Sequence, residues 1–214
     1  MLMSTLERRQ EEKEQRRNDI IDAAEVVFAQ KGVDKATMAD VAKEARLSRG
    51  LIYFYFKDKE DLYLAIMVRA SRGLREAFEQ AVTDEMRGFE KITAMGRAYV
   101  RFSKEQPAYF HALTEFETRT INFEEPIESE VACLAEGNKV LELMARVIAE
   151  GMQDGSIRQD IGDPMKASVC LWGFTHGIIQ IVAKKQDMFT HVLQVDPDAL
   201  ITQAFDMMER SLAS

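Results

Sequence analysis

The stretch from Thr37 to Leu62, TMADVAKEARLSRGLIYFYFKDKEDL, constrains the fold more than any other part of the chain. Thr37 is placed as a helix N-cap, with Asp40 three residues on as its capping-box partner. Val41, Ala42 and Ala45 give that helix a small apolar face. After the turn at Leu47, Ser48 caps a second helix expected from Arg49 to about Phe54. Two such helices, joined by a turn of about three or four residues, make a helix-turn-helix whose second helix enters the major groove of DNA.

The chemistry of that second helix suits the task. Arg49 stands at its N-terminal end, where side chains reach base edges, and a guanidinium can bond a guanine at two atoms. Gly50 lets the backbone come close to the sugar-phosphate wall. Tyr53 and Tyr55 carry hydroxyls that donate to phosphate, and Thr37, Lys57 and Lys59 are expected to hold phosphates beside them. Lys57 and Lys59 flank Asp58, the cap of the next helix, so two ammonium groups converge on a helix N-terminus. Between Ala42 and Lys59 there are five basic residues and two acidic ones. The plainer alternative is a small helical hairpin with a solvated basic edge and packing aromatics.

Residues 45–62, ARLSRGLIYFYFKDKEDL, resemble the recognition segment of the TetR family of bacterial transcriptional regulators. Ser48, Gly50, Ile52, Tyr53, Tyr55, Phe56, Lys59, Glu60 and Leu62 supply that pattern in order, within a likeness running from Arg17 to about Arg69. The resemblance implies an all-α chain. It would have an N-terminal three-helix DNA-binding domain (1–61), joined by a long fourth helix to a C-terminal effector-binding and dimerisation domain (62–214), about nine helices in all. One departure stands out: the family usually has Gly in the turn, where this chain has Arg46. A left-handed turn conformation costs a side chain roughly 1 kcal/mol, which a phosphate contact from Arg46 would offset.

Net charge is −8, which at first counts against a nucleic-acid partner. The distribution removes the objection. Residues 1–60 hold 12 basic and 12 acidic side chains, so the acidic excess lies wholly in the remainder. Phosphate contacts respond to the potential within a Debye length of about 8–10 Å, not to the total. Cys133 and Cys170 sit in apolar helical runs without metal-ligand spacing, as buried thiols of a reducing compartment. With no apolar signal segment at the N-terminus, the expected location is the cytoplasm.

Helical periodicity is nearly continuous. Residues 1–16 carry mixed charge and no apolar stripe; they read as a frayed extension or a solvated turn or two. A basic DNA arm formed by Arg8, Arg9, Arg16 and Arg17 is the sharper alternative. Asn18–Gln30 form the first helix, stopped at Gly32. A long helix follows from Asp58 to about Val82, then helices Phe89–Lys104, Pro107–Arg119 and Ile127–Gln153, with a break at Asn122–Pro126. Asp163-Pro164 and Asp196-Pro197 each place a cap before an N1 proline, starting helices to about Gln186 and Ser211.

The segment VCLWGFTHGIIQIV, residues 169–182, is apolar nearly all round, so it must be buried on all sides. It is too short for a membrane span, which needs about 20 residues. A partner subunit over one face accounts for this; a purely intramolecular core helix is the plainer alternative. Leu171, Gly173, Phe174, Gly177, Ile178 and Ile181, with Phe205 and Met208 of the last helix, are the expected homodimer interface; the family resemblance implies a dimer through the same two helices. The resemblance also implies a small, largely apolar effector between helices of the second domain, near Arg97, Tyr99, Arg101, Phe102, His111, Glu115, Phe116, Met144, Trp172 and His176. No metal-ligand spacing links His111, His176 or His191 to either cysteine. There is no Gly-rich phosphate loop, G-x-S-x-G or H-E-x-x-H, so neither enzyme nor cofactor is expected. The sequence reads as a repressor on a near-palindromic duplex operator. An activator or architectural DNA binder without effector, and a helical protein–protein adaptor, stand as alternatives.

Overall fold

A computed structural model describes residues 5–125 and 127–214. Among them the chain folds into nine α-helices and no strand: α1 (Thr5–Lys31), α2 (Met38–Glu44), α3 (Arg49–Tyr55), α4 (Lys59–Ala81), α5 (Gly88–Glu105), α6 (Pro107–Glu117), α7 (Glu128–Gln153), α8 (Pro164–His191) and α9 (Pro197–Leu212). They divide into two compact units. One holds the chain up to Arg69 together with Ile121–Cys133; the other holds Ala70–Thr120 and Leu134–Ser214. Helices α4 and α7 each contribute residues to both units.

In the first unit, Ile20, Ala24, Val27 and Phe28 of α1 are buried, as are Val41 of α2, Ile52 of α3, Phe56 and Leu62. The apolar face of α1 is thus the platform for the helix-turn-helix. Arg69 ties α4 to α1 through Asp22 (2.5 Å) and Glu25 (3.0 Å). The expectation for residues 1–16 is corrected: α1 is continuous from Thr5, and of this segment residues 1–4 lie outside the described chain. Close-spaced side-chain pairs such as Arg8–Glu12 and Gln15–Asp19 support these extra turns. The break at 122–125 is observed, Pro126 itself lying outside the description.

The second unit is a helical bundle whose core includes Leu74 and Phe78 of α4, Ile92, Met95 and Tyr99 of α5, Phe110 of α6, Val147 and Ile148 of α7, Leu171 of α8, and Phe205 and Met208 of α9. Gly88 and Gly151 allow α5 and α7 to approach closely, since a Cβ on Gly88 would stand 2.2 Å from the Gly151 backbone. Both Asp-Pro helix starts form as expected: Asp163 accepts from the Lys166 N–H and Asp196 from the Asp198 N–H. Helix α8 runs past Gln186 to His191 across a kink at Lys185, which has φ −121° and ψ 19°.

Candidate functional site

The turn between α2 and α3 is set by its carbonyl caps. The Leu47 N–H donates to Ala42 O (2.9 Å) and the Arg46 N–H to Lys43 O (3.2 Å), a Schellman closure with Arg46 at the left-handed position, φ 56°. On the far side Ser48 caps α3, its Oγ accepting from the Leu51 N–H at 3.2 Å. Helix α3 buries Ile52 and leaves Arg49, Gly50, Tyr53 and Phe54 exposed, with Leu51 and Tyr55 half-buried. Phe54 is 71% exposed and Tyr53 53%, figures hard to reconcile with a purely packing role. Arg46, Arg49 and Lys57 are exposed, with no side-chain partner among the described residues. Space is open around Gly50, where an added Cβ would meet nothing within 4 Å.

Two expected phosphate contacts are corrected. The Lys59 ammonium donates to Val33 O (2.7 Å) and Asp34 O (3.0 Å), so it holds the loop after α1. The Thr37 hydroxyl donates to Asp40 Oδ2 (2.8 Å) and accepts from the Asp40 N–H (3.2 Å), leaving no hydroxyl proton for a phosphate. The Lys31 ammonium, 2.6 Å from Asp40, and then Thr37 hold the Asp40 carboxyl down to about 2. These groups stabilise the helix-turn-helix through bonds within the chain, although Thr37 and Lys31 are exposed.

The expected ligand residues separate into three groups. Tyr99, Met144 and Trp172 line an apolar cavity with Phe78, Ile92, Met95, Gly96, Leu171, Thr175 and Met208. It leaves about 20 Å³ open to the centre of a water molecule, room for little more than one water. His176 is buried behind Tyr99, whose hydroxyl lies 2.6 Å from His176 Nδ1. Thr114 donates to Phe110 O at 3.0 Å and lies 3.4 Å from His176 Nε2. That order makes Nε2 the protonated nitrogen and Tyr99 the donor to Nδ1. Burial pushes the Tyr99 phenol up, helped by Glu117, and pushes the His176 imidazole down. Phe102 is buried but packs near Tyr109, outside the cavity lining.

Arg97 and Arg101 are corrected: both are exposed and border an open groove with Glu209, Arg97 lying 3.3 Å from that carboxylate. His111 and Glu115 are also exposed and face each other at 3.8 Å, and Phe116 is half-buried away from the cavity. Glu117, which sequence reasoning passed over, has its carboxyl desolvated and pushed up to about 7, although the residue as a whole is exposed. No sequence signal distinguished it from the other acidic residues. Met208, expected at the dimer face, is a wall of this cavity instead.

On the expected dimer face, Leu171, Phe205 and Met208 are corrected, because all three are buried in the chain's own core. Gly173, Phe174 and Ile181 are exposed on α8, and Gly177 and Ile178 half-buried. Val169 and Met188 extend the exposed apolar row. Cys170 lies on this outer side and is exposed, contrary to expectation, while Cys133 is buried and donates to Leu64 O at 3.2 Å. No described helix is long and apolar enough to cross a membrane. The described residues hold no cluster of three His, Cys, Asp or Glu suited to a metal.

A helix-turn-helix with an exposed, partly cationic second helix, carried on an all-helical bundle, defines a DNA-binding transcriptional regulator. The pattern described as "Bacterial regulatory proteins, tetR family" matches residues 20–66, and "Tetracyclin repressor-like, C-terminal domain" matches residues 92–208. The chain belongs to the TetR family. It is 27% identical over 143 residues to the fatty acid metabolism regulator protein of Bacillus subtilis (strain 168), covering 66% of this chain and 71% of that one. To the transcriptional repressor BepR of Brucella suis biovar 1 (strain 1330) it is 42% identical over 65 residues, 30% of this chain and 31% of that protein. The crystal structure of FadR from Bacillus subtilis in complex with stearoyl-CoA shares the fold, with TM-score 0.65 and 22% identity, covering 90% of this chain and 97% of that one.

Proposed function

We propose that this regulator is a cytoplasmic, homodimeric repressor that a small, largely apolar ligand releases from a near-palindromic operator. The observation that carries the reading is the exposed, unpartnered face of α3: Arg49 at its start, Tyr53 and Phe54 along it, and Arg46 and Lys57 at its ends. Arg49 reads a base edge, Leu51 and Phe54 touch thymine methyls, and Arg46, Tyr53, Tyr55 and Lys57 hold phosphates. Ser48 and Gly50 bring the backbone to the duplex. Residues 1–61 carry this work; residues 62–214 carry the ligand and the partner subunit.

The cavity walls support the ligand class. They are aliphatic and aromatic, with Tyr99 and Thr175 the hydroxyl-bearing exceptions, and the three methionines Met95, Met144 and Met208 repack easily around a guest. An acyl-chain ligand in the structurally similar FadR is consistent with such walls. The exposed apolar row on α8 supports the dimer, because a lone chain in water would leave Val169, Phe174, Ile181 and Met188 uncovered. Selection of bound fragments from a random duplex pool tests the whole reading. The expected product is a pair of inverted half-sites at a fixed spacing of about one helical turn or more. Recovery of unrelated sequences, or none, contradicts it.

A further inference from the structure

Helix α1 overruns the unit it belongs to. Its buried positions begin at Ile20, and residues 6–16 are exposed on every side. With about 3.6 residues per turn, most charges of this overhang separate onto two faces, while Arg8 and Glu12, paired at 3.8 Å, lie on the flank between them. Arg9, Lys13, Arg16 and Arg17 fall on the side that Ile20, Ala24 and Val27 continue as the buried apolar face. Glu7, Glu11 and Glu14 fall on the opposite side. The face of α1 that is apolar over the helix-turn-helix therefore turns basic where protein beneath it ends.

One contact ties the inner end of this face to the end of the recognition helix. The Arg17 guanidinium sits 4.9 Å above the ring of Phe56, the residue that closes α3. Arg9 and Lys13 are exposed and have no side-chain partner among the described residues. Arg16 reaches Asp19 at 3.6 Å, both side chains being partly exposed, and such a pair yields to a stronger anion. From Arg9 to Arg16 the helix rises about 10 Å, the axial rise of about three base pairs.

We propose that the first three turns of α1 are a phosphate-gripping arm, with Arg9, Lys13 and Arg16 laid along the backbone of the duplex beside the groove that α3 enters. The proposal rests on the reading of α3 as the recognition helix. The occupant is duplex DNA because the face is a row of cations continuous with that helix, and the acidic row behind it fixes which side turns toward the strand.

The test uses the full chain, a duplex recovered by selection and a scrambled duplex of equal length. Binding is followed by fluorescence anisotropy across a salt series, for wild type, R9Q/K13Q/R16Q and the opposite-face control E7Q/E11Q/E14Q. Removing the basic row is expected to lower the slope of log affinity against log salt by about 0.9 for each phosphate that is no longer neutralised. Affinity for the two duplexes should fall by the same factor, with helicity and selected sequence unchanged. The acidic-row control should keep the wild-type slope. An unchanged slope in the basic-row variant, with wild type still selecting its half-sites, overturns the arm alone. Slope changes of equal size and opposite sign in the two variants overturn it too, since net charge would then explain the effect. A wild-type chain that binds no duplex overturns the reading of α3 and the arm with it.

Discussion

Arg46 stands where the backbone favours glycine, and the phosphate contact proposed for it would be set against that cost. Its φ of 56° lies where a Cβ is strained and glycine is not. Arg46→Gly is expected to stabilise the protein by about 1 kcal/mol, read from the denaturant midpoint. It should also weaken duplex binding and reduce the salt slope by about 0.9 for the one phosphate it would hold; unchanged affinity and slope would remove the phosphate role. Arg49 is tested differently. Arg49→Ala should cost about 1–3 kcal/mol on the selected duplex and relax preference at one base position, whereas equal loss on every sequence would make it a backbone contact. Glu117 gives a pH signature. Its carboxyl is raised from 4.5 to about 7 by desolvation, so the folded state holds a proton that the unfolded chain releases. Its contribution is fully present below about pH 4.5 and lost as pH rises through 7. Glu117→Gln should flatten that part of the stability profile, and a profile identical to wild type would show the carboxyl to be well solvated. Ser48, Arg46 and Arg49 were legible because local caps and turns dictate them. The ties of Lys59 to Val33 and Asp34 were not, since the partner carbonyls lie about 25 residues away in sequence.

At the scale of elements, caps and prolines made most helices readable, and long-range packing decided the rest. The Asp-Pro pairs before α8 and α9 act within a single turn, so their starts could be located from sequence. The overhang of α1 lacks any apolar stripe, so periodicity was silent there; its continuity depends on side-chain pairs and on the helix already nucleated beyond it. Helix α8 was legible as apolar on all sides, but which side faced inward was not. Leu171 and Phe174 differ only in position around the helix, and only the bundle distinguishes them. That difference is measurable. Phe174→Asp with Ile181→Asp should convert a dimer to a folded monomer, seen by sedimentation with helicity retained, because both side chains are exposed in the single chain. Leu171→Asp should instead unfold the bundle, since it sets a charge among core side chains without a partner. A dimer that survives the double substitution would move the interface elsewhere.

For the whole molecule the question is how a ligand reaches the recognition helices. The cavity of the second unit has room for little more than a water, so an effector that binds there, as proposed, must displace its walls. Phe78 belongs to α4, and α4 runs without a break into the residues that clasp α1 through Arg69. A wall movement at Phe78 can therefore be carried by one continuous helix. Thermodynamics makes the consequence strict: a ligand that does not bind the two conformations differently shifts nothing. Whatever factor the ligand takes from operator affinity, the operator must take from ligand affinity. Stearoyl-CoA and the neutral 1-decanol serve as probes, each titrated calorimetrically into the free dimer and into the dimer saturated with selected duplex. For the one that acts as effector, affinity should be about 5–150-fold weaker in the duplex-bound state, matching the loss of duplex affinity measured with the ligand in excess. Trp172→Ala enlarges the cavity and should alter ligand affinity in both states while leaving affinity for duplex in the absence of ligand near wild type. A probe that binds equally well to free and duplex-bound protein is a passenger in the cavity, and if both probes behave so, neither is the releasing ligand.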